Sequence, residues 1–407
     1  MSSSQVQHGR QRTPSRAGLL LRTIGIAVAV VLVSTVAVAG YAYTNITGQI
    51  SDAAVDIGGD EPVAPPPFLG AIEGGFNMLV VGTDNDSNQG LAYGERDATL
   101  NDVNILIHVA ADHQSAVVVS FPRDLVIPQP ECDASDAVSA QPLNASWERG
   151  GENGLGCVVA TIRDLTGLSI PYAAATSFNG VIEMTNAVGG VQVCLAGPID
   201  DPYSGLNLPE GYSTIAGADA LAFLRSRHGV GDGSDLSRIG SQQQYLSSLL
   251  RTIKDSSTLS DPTKVYGLAQ AVAQNITPST TLKGPDTLVS LALSLKDVDL
   301  SKVVFVSYPV AAYVDDPNKV QPIEDLAAQL FERISTDQPF SLDADSTSTG
   351  SLVEPGTDTA APTPTETATP AVPDATAAPT DSATTPDVIE GLKGQTAAEQ
   401  TCAQPAD

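Results

Sequence analysis

Three arginines close together carry the clearest chemistry in this chain. Arg225 and Arg227 precede a turn built from Gly229, Gly231, Asp232, Gly233, Ser234 and Asp235, and Arg238 follows it. A guanidinium presents a planar fork that grips phosphate oxygens in pairs and keeps its charge at any working pH. The glycines let the chain bend back, and Ser234 or Asp235 is placed to cap a following helix. Arg238 then falls in that helix's first turn, where the dipole disfavours a cation. A cation set there points to a bound anion or a carboxylate partner, and a surface network with Asp232 and Asp235 is the plainer alternative. Gln242, four residues on, shares the face of Arg238.

A second polar set stands at the ends of apolar runs. Gly82, Thr83 and Asp84 follow Met78–Val81; Asn101 and Asp102 precede Asn104–Val109; Pro122, Arg123 and Asp124 follow Ala116–Phe121. Ligands of open α/β sheets bind beyond strand ends. One or two aspartates with phosphate oxygens are what a hydrated Mg²⁺ requires, although Asp and Asn also favour ordinary turns. No Gly-x-Ser-x-Gly elbow or P-loop occurs, and the four histidines are scattered. His108 and His113 flank a hairpin turn, and His228 is the one histidine beside other polar candidates.

The elements that must position these groups follow from periodicity. Asn104–Val109 and Ala116–Phe121 read as a hairpin. Helical spacing is found at Val158–Leu165, Val181–Val188, Ala216–Leu224, Leu236–Ile253, Val265–Gln274, Thr287–Leu295 and Ile323–Ile334, with strands at Val191–Leu195 and Val303–Ser307. Alternation of this kind means an α/β layered fold.

The chain has 407 residues, 42% apolar and only 16% charged, with a formal net charge of -27. That charge argues against nucleic acid as a partner, because backbone affinity comes from clustered Lys and Arg. No lysine precedes Lys254, so every earlier cation is Arg. Residues 1–22 are basic, and Thr23–Tyr43 has 21 residues without a charge. A bilayer needs about 20 apolar residues in a helix, and the flanking charges predict an N-terminus inside and the remainder outside. A cleaved signal peptide is the alternative, but the stretch is long for one. Residues 44–67 read as a linker, and 68–341 as a folding unit. Residues 342–407, rich in Thr, Ala, Pro, Ser and Asp, read as a disordered tail. Outside a reducing compartment a disulfide is expected. Cys132 and Cys157 bracket a Gly/Pro/Asp-rich loop and are the expected pair. Cys194, in a predicted buried strand, is expected as a free apolar thiol, and Cys402 lies in the expected tail.

Taken in order, these segments resemble the LytR-CpsA-Psr family, in its actinobacterial type. The resemblance is carried by Gly82-Thr83-Asp84, Asp102, Val119 through Asp124, Leu143-Asn144-Ala145 with Gly150-Gly151, and Ala187 through Val191. Ala220 through Arg227, Gly231 through Asp235, Arg238 and Gln242-Gln243 complete it. It covers roughly 68–255 and more weakly continues to Ile334. It implies a three-layer α/β/α sandwich around a mixed sheet, with an apolar tunnel for a polyprenyl lipid. It further implies a membrane-anchored transferase that moves a glycopolymer from a polyprenyl-pyrophosphate carrier to peptidoglycan through a phosphodiester. Asp84 and Asp102 would then hold Mg²⁺ (or Mn²⁺). Arg123, Arg225, Arg227 and Arg238 would bind the pyrophosphate with Gln242 beside them, and Asp124 or Asp235 would orient an arginine or act as general base. Asn85 and Ser241 stand where many relatives carry arginine. Two other readings stay open: a hydrolase working on the same lipid pyrophosphate, and a non-catalytic binder or envelope-linked transcriptional attenuator.

Overall fold

The structure, a computed structural model, describes residues 40–41, 43–59, 67, 70–85, 98–254, 262–343, 345–354 and 386–406. The chain divides into two units, Met1–Gly48 and Gln49–Asp407. Of the first, residues 40–41 and 43–48 are helical. The expected membrane helix, 23–43, lies almost wholly outside the described residues. Among those described, no helix is long and apolar enough to cross a membrane.

The second unit runs β1 (Phe76–Thr83), β2 (Asn101–Val109), β3 (Ala116–Phe121), α1 (Gly154–Thr166), β4 (Tyr172–Thr176), α2 (Phe178–Val188), β5 (Val191–Leu195), β6 (Gly211–Ile215), α3 (Gly217–Arg225) and α4 (Asp235–Lys254). It continues with α5 (Pro262–Asn275), β7 (Ile276–Pro278), α6 (Pro285–Lys296), β8 (Val303–Ser307), α7 (Glu324–Ser335), β9 (Ser351–Val353), β10 (Gly394–Thr396) and β11 (Thr401–Ala403). The expected helices and hairpin are all present. Helices α1 and α2 stop at Gly167 and Gly189, both left-handed at φ 70° and 86°, where glycine meets no Cβ penalty.

A seven-stranded mixed sheet has the order β7-β4-β1-β2-β3-β8-β10. β1 is antiparallel to β2 and parallel to β4; β3 is antiparallel to β2 and parallel to β8. Helices cover both faces. On one, Leu79, Leu106 and Val119 meet Leu155, Val158 and Ile162 of α1 and Leu330, Phe331 and Ile334 of α7. On the other, Ile105, Val118 and Phe305 meet Leu246 and Leu250 of α4 and Leu288 and Leu291 of α6.

Beyond α4 lies a second sheet, β6-β5-β11-β9, whose core joins Val191, Val193 and Ile215 to Phe223 of α3 and Tyr245 of α4. This sheet corrects the expectation for 342–407. Within that stretch, 386–406 is built into the fold: β10 pairs with β8 at the edge of the large sheet, and β11 lies between β5 and β9. Composition did not reveal it because few aliphatic residues, Ile389, Leu392, Ala397 and Ala403, enter the cores, and polar contacts supply the remainder. Gln244 Nε2 donates to Cys194 O and Thr401 O, both at 2.7 Å. Gln395 Nε2 donates to Ser247 Oγ at 2.9 Å, and Arg251 Nη1 donates to Ala397 O at 2.7 Å. Residues 355–385 lie outside the described set.

The cysteine expectations divide. Cys132–Cys157 is a disulfide as expected. Cys194 is no free thiol: β11 enters beside β5 with Ala403 opposite Leu195, and Cys402 bonds to Cys194. Nothing local in sequence marks a pair 208 residues apart. The expected linker, 44–67, also contributes to the body. Ile50 and Ile57 are buried, and Val55 N donates to Pro278 O at 2.9 Å. Isolated aliphatic residues at that spacing form no readable period.

Candidate functional site

The end of β1, the start of β2 and the end of β3 meet at one edge of the large sheet, as their register requires: Thr83 faces Asn101, and Asn104 faces Phe121. Asp84, Asp102, Arg123 and Asp124 therefore share that edge. Asn101 anchors it from within. Its Nδ2 donates to Asn104 Oδ1 at 2.8 Å and Leu143 O at 3.1 Å, while its Oδ1 accepts from Trp147 N at 3.0 Å. The Arg123 and Asp124 carbonyls accept from Asn144 N and Val320 N at 2.9 and 3.2 Å, so this turn is fixed from two sides.

The Gly-rich turn brings α4 to the same place. Ser234 caps the helix, its Oγ accepting from Ser237 N at 3.3 Å. Asp232 Oδ1 accepts from Ser237 Oγ at 2.6 Å and from Ser234 N at 3.0 Å. Burial alone would raise the Asp232 carboxyl, but these bonds outweigh it and hold it below its ordinary value. Gly231 needs its φ of +51°, and a Cβ there would meet Ser237 Oγ at 2.5 Å and Gly350 Cα at 2.7 Å.

Arg123 Nη1 lies 2.9 Å from Asp102 Oδ1, and its Nε lies 3.5 Å from Asp124 and 3.7 Å from Asp235. Arg238 Nη2 lies 2.6 Å from Asp235 Oδ1 and donates to Asp102 O at 3.0 Å. The cation of the first turn thus has its carboxylate partner. Burial would lower the Arg123 guanidinium, but Asp102, Asp235 and Asp124 outweigh it and raise it. Asp124 moves upward: burial raises it, Arg123 pulls it back, and the charge of Asp235 pushes it up again, while Arg238 and Arg227 lower it. The charge of Arg227 thus reaches this cluster. Among the described residues, the Nε groups of Arg123 and Arg238 and Oδ2 of Asp235 are buried without a hydrogen-bond partner. Such orphaned polar atoms are costly unless a ligand completes them.

Two expected members also make contacts with the helices. Arg225 lies over the Phe178 ring of α2, its Cζ 4.5 Å from the centroid. Gln242 turns its Nε2 to Leu224 O at 3.0 Å, tying α4 to the end of α3. Sequence reasoning missed Asp201. Its buried carboxylate accepts from Ser226 Oγ at 2.7 Å and Arg227 N at 3.2 Å on one oxygen, and from Tyr203 N and Ser204 N on the other. Burial pushes this carboxyl up, but the four donors prevail and hold it below its ordinary value. Within a run such as Asp200-Asp201-Pro202, ordinary turn chemistry conceals the role.

Asp84 is fully buried and its Oδ1 accepts from Leu100 N at 2.8 Å; Asp102 faces Arg123. Both are hard oxygen donors at one edge, the kind a hydrated Mg²⁺ takes when phosphate oxygens and water supply the remainder. Protein side chains alone do not form a cage: no cluster of three His, Cys, Asp or Glu suited to a metal exists among the described residues.

Helix α4 joins this cluster to an apolar cavity of about 220 Å³. Val80, Ile105 and Ile107 line it from the sheet; Leu246, Leu249, Leu250 and Ile253 line it from α4. Those four share a stripe with Arg238 and begin about 12 Å along the helix from it. The pair of environments suits an amphiphile with an anionic head and an apolar chain.

A mixed α/β domain with an arginine–aspartate cluster at the sheet edge and an apolar cavity beneath it defines the class. Residues 40–338 match the LytR_cpsA_psr family, and the chain belongs to it. It is 30% identical over 310 residues to the cell wall biosynthesis protein LcpA of Corynebacterium glutamicum, covering 69% of this chain and 58% of that protein. The probable cell wall biosynthesis protein LcpB of the same organism is 29% identical over 263 residues, covering 62% and 58%. The chain thus spans somewhat over half the length of these relatives. Among solved structures, the protein gbs0355 of Streptococcus agalactiae shares the fold with a TM-score of 0.55 at 21% identity, over 65% of this chain and 88% of that one. The LytR-Csp2A-Psr enzyme of Actinomyces oris gives 0.50 at 22% identity, over 69% and 94%.

Proposed function

We propose that this chain transfers a glycopolymer from a polyprenyl-pyrophosphate carrier to a hydroxyl of peptidoglycan, forming a phosphodiester. The observation that carries this reading is the single stripe of α4, which presents Arg238 to the charged cluster and four aliphatic side chains to the cavity. An amphiphile with a pyrophosphate head fits both ends.

In this mechanism the acceptor oxygen attacks the sugar-bearing phosphorus, and the bond from that phosphorus to the bridging oxygen breaks. Polyprenyl phosphate leaves. Arg123, Arg227 and Arg238, with Arg225 behind them, neutralise the charge gathered on the phosphate oxygens, the main catalytic term for such a transfer. Asp124 takes the acceptor proton; its raised position suits a general base better than Asp235, which is spent on Arg238. Asp84 and Asp102 would hold Mg²⁺, which supplies further charge neutralisation at the pyrophosphate. Two disulfides support a site outside the reducing cytoplasm, in line with residues 23–43 as a single-pass anchor and this domain on the wall side.

The test combines the purified chain with a short lipid-pyrophosphate glycan, Mg²⁺ and peptidoglycan fragments, read by mass spectrometry beside Arg238→Ala and Asp102→Ala. Mg²⁺-dependent linkage lost in both variants supports the reading. Release of free glycan phosphate without linkage means a hydrolase, and bound but unconsumed lipid with its native glycan means a binding protein.

A further inference from the structure

Tyr203 is 81% exposed, more than any other large hydrophobic side chain among the described residues. Its ring lies against His228, centroid to centroid 4.6 Å at 47°. A lone exposed aromatic needs no explanation, but this one is fixed in place from below. Tyr203 tops a tight hairpin between Ile199–Asp201 and Leu206–Leu208. Gly205, at φ +77°, closes it by donating its N–H to Asp201 O at 2.9 Å.

The same Asp201 carboxylate binds Tyr203 N through one oxygen and Ser226 Oγ and Arg227 N through the other. The hairpin and the arginine turn are therefore one unit. Gly229 closes the seam, since a Cβ there would come within 2.7 Å of Asp201 Cβ. His228 directly follows Arg227, whose charge reaches Asp124 in the cluster. The aromatic pair thus adjoins, along the chain, an arginine assigned above to the pyrophosphate.

We propose that Tyr203 and His228 form a sugar-binding ledge, on which the hexopyranose attached to the pyrophosphate lays its C–H face. This rests on the lipid-pyrophosphate reading above. An aromatic face offers flat apolar area at low entropy cost, and the phenol and imidazole edges offer hydrogen bonds to ring hydroxyls. A protein partner would need on the order of 1,000 Å² of contact, far more than two rings provide. A nucleobase partner is opposed by the net charge of -27. A sugar one bond from a clamped phosphate needs only one ring's area, next to the clamp.

The test is calorimetric titration of the full chain, in Mg²⁺ buffer, with farnesyl-pyrophosphoryl-N-acetylglucosamine and with farnesyl pyrophosphate. Tyr203→Ala should weaken the first about 3- to 10-fold and leave the second within about 2-fold. Tyr203→Phe should restore it, because the ring survives. Equal losses on both ligands, or no loss on either, overturn the ledge. A native chain that binds farnesyl pyrophosphate but gains nothing from the sugar overturns the ledge and leaves the lipid-pyrophosphate reading standing. A native chain that binds neither overturns both.

Discussion

Cys194 and Cys402 close a loop of 208 residues, whereas Cys132 and Cys157 close one of 25. On the chain-entropy relation the first cross-link restricts the unfolded chain by about 5 kcal/mol and the second by about 3.5 kcal/mol. The two loops do not overlap in sequence, so the contributions are separable. Replacing Cys194 and Cys402 together by Ser should therefore cost more than replacing the other pair. The effect should also reach the site. Beyond Cys402 the chain clamps the Gly-rich turn: Gly231 N donates to Gln404 O at 2.9 Å, and Ala406 N donates to Gly229 O at 3.0 Å. Freed at β11, these residues keep only backbone bonds, and the turn that sets Arg227 and Arg238 loses its outer support. Guanidinium unfolding of both double variants, followed by the single tryptophan, Trp147, which packs against the first core, gives the stabilities. Parallel turnover assays give the site effect. Should the Cys132/Cys157 variant lose as much stability and as much turnover as the Cys194/Cys402 variant, the argument is wrong.

Asp124→Asn should cut turnover about 100-fold or more, as loss of a general base does, without loss of stability at neutral pH. Its raised folded value means that ionisation already opposes folding as pH rises above the unfolded carboxylate value, so neutralising it relieves that cost; unfolding titrations check it. Asp201 has the opposite sign. Its lowered value contributes stability above the unfolded carboxylate value, about 4, and that contribution is lost as pH falls through the folded one. Asp201→Asn should flatten this acid limb in melting curves taken across pH. Val80→Phe projects into the apolar cavity and should weaken farnesyl pyrophosphate at least about 10-fold while leaving inorganic pyrophosphate unchanged in the same titration. Ser241→Arg should destabilise by about 3 kcal/mol or more, as an unpaired buried charge does, and should not raise turnover; a gain in rate at unchanged melting temperature would count against the account of α4 given below.

Periodicity carried most of the second unit, because its helices are long and capped by glycines that leave a readable mark. Tyr172–Thr176 escaped notice even though it lies inside the large sheet: three consecutive alanines have neither alternation nor β-propensity, and burial on both faces is a property of neighbours. The charged cluster was readable as residue types at strand ends. Its pairing was not, because which arginine Asp235 holds depends on distances, 2.6 Å to Arg238 against 3.7 Å to Arg123. Gln242 shows the same limit from the other side. Its spacing sets it on the face of Arg238, but its amide turns inward to Leu224 O. The C-terminal strands were hidden for a different reason, since polar residues that pair by backbone and amide bonds read as solvent-facing chain.

Helix α4 explains why position 241, where the resemblance implies an arginine, carries serine here. One stripe of the helix carries Arg238, Leu246, Leu249, Leu250 and Ile253 toward the site and the cavity. The opposite stripe carries Ser237, Gly240, Ser241, Gln244, Ser247 and Ser248, and it is buried despite being polar. A Cβ on Gly240 would stand 2.5 Å from Thr349 O. Gln244 spans from Cys194 to Thr401, and Gln395 reaches Ser247. The C-terminal strands cover this stripe, and a guanidinium at 241 would be caught beneath them. Ser241, fully buried with its Oγ donating to Ser237 O at 3.4 Å, belongs to the seam that docks the C-terminus. The small polar residue is thus the consequence of what this chain places over α4. On the proposed reading, the charge at the phosphate comes from the arginines of the sheet edge and the Gly-rich turn.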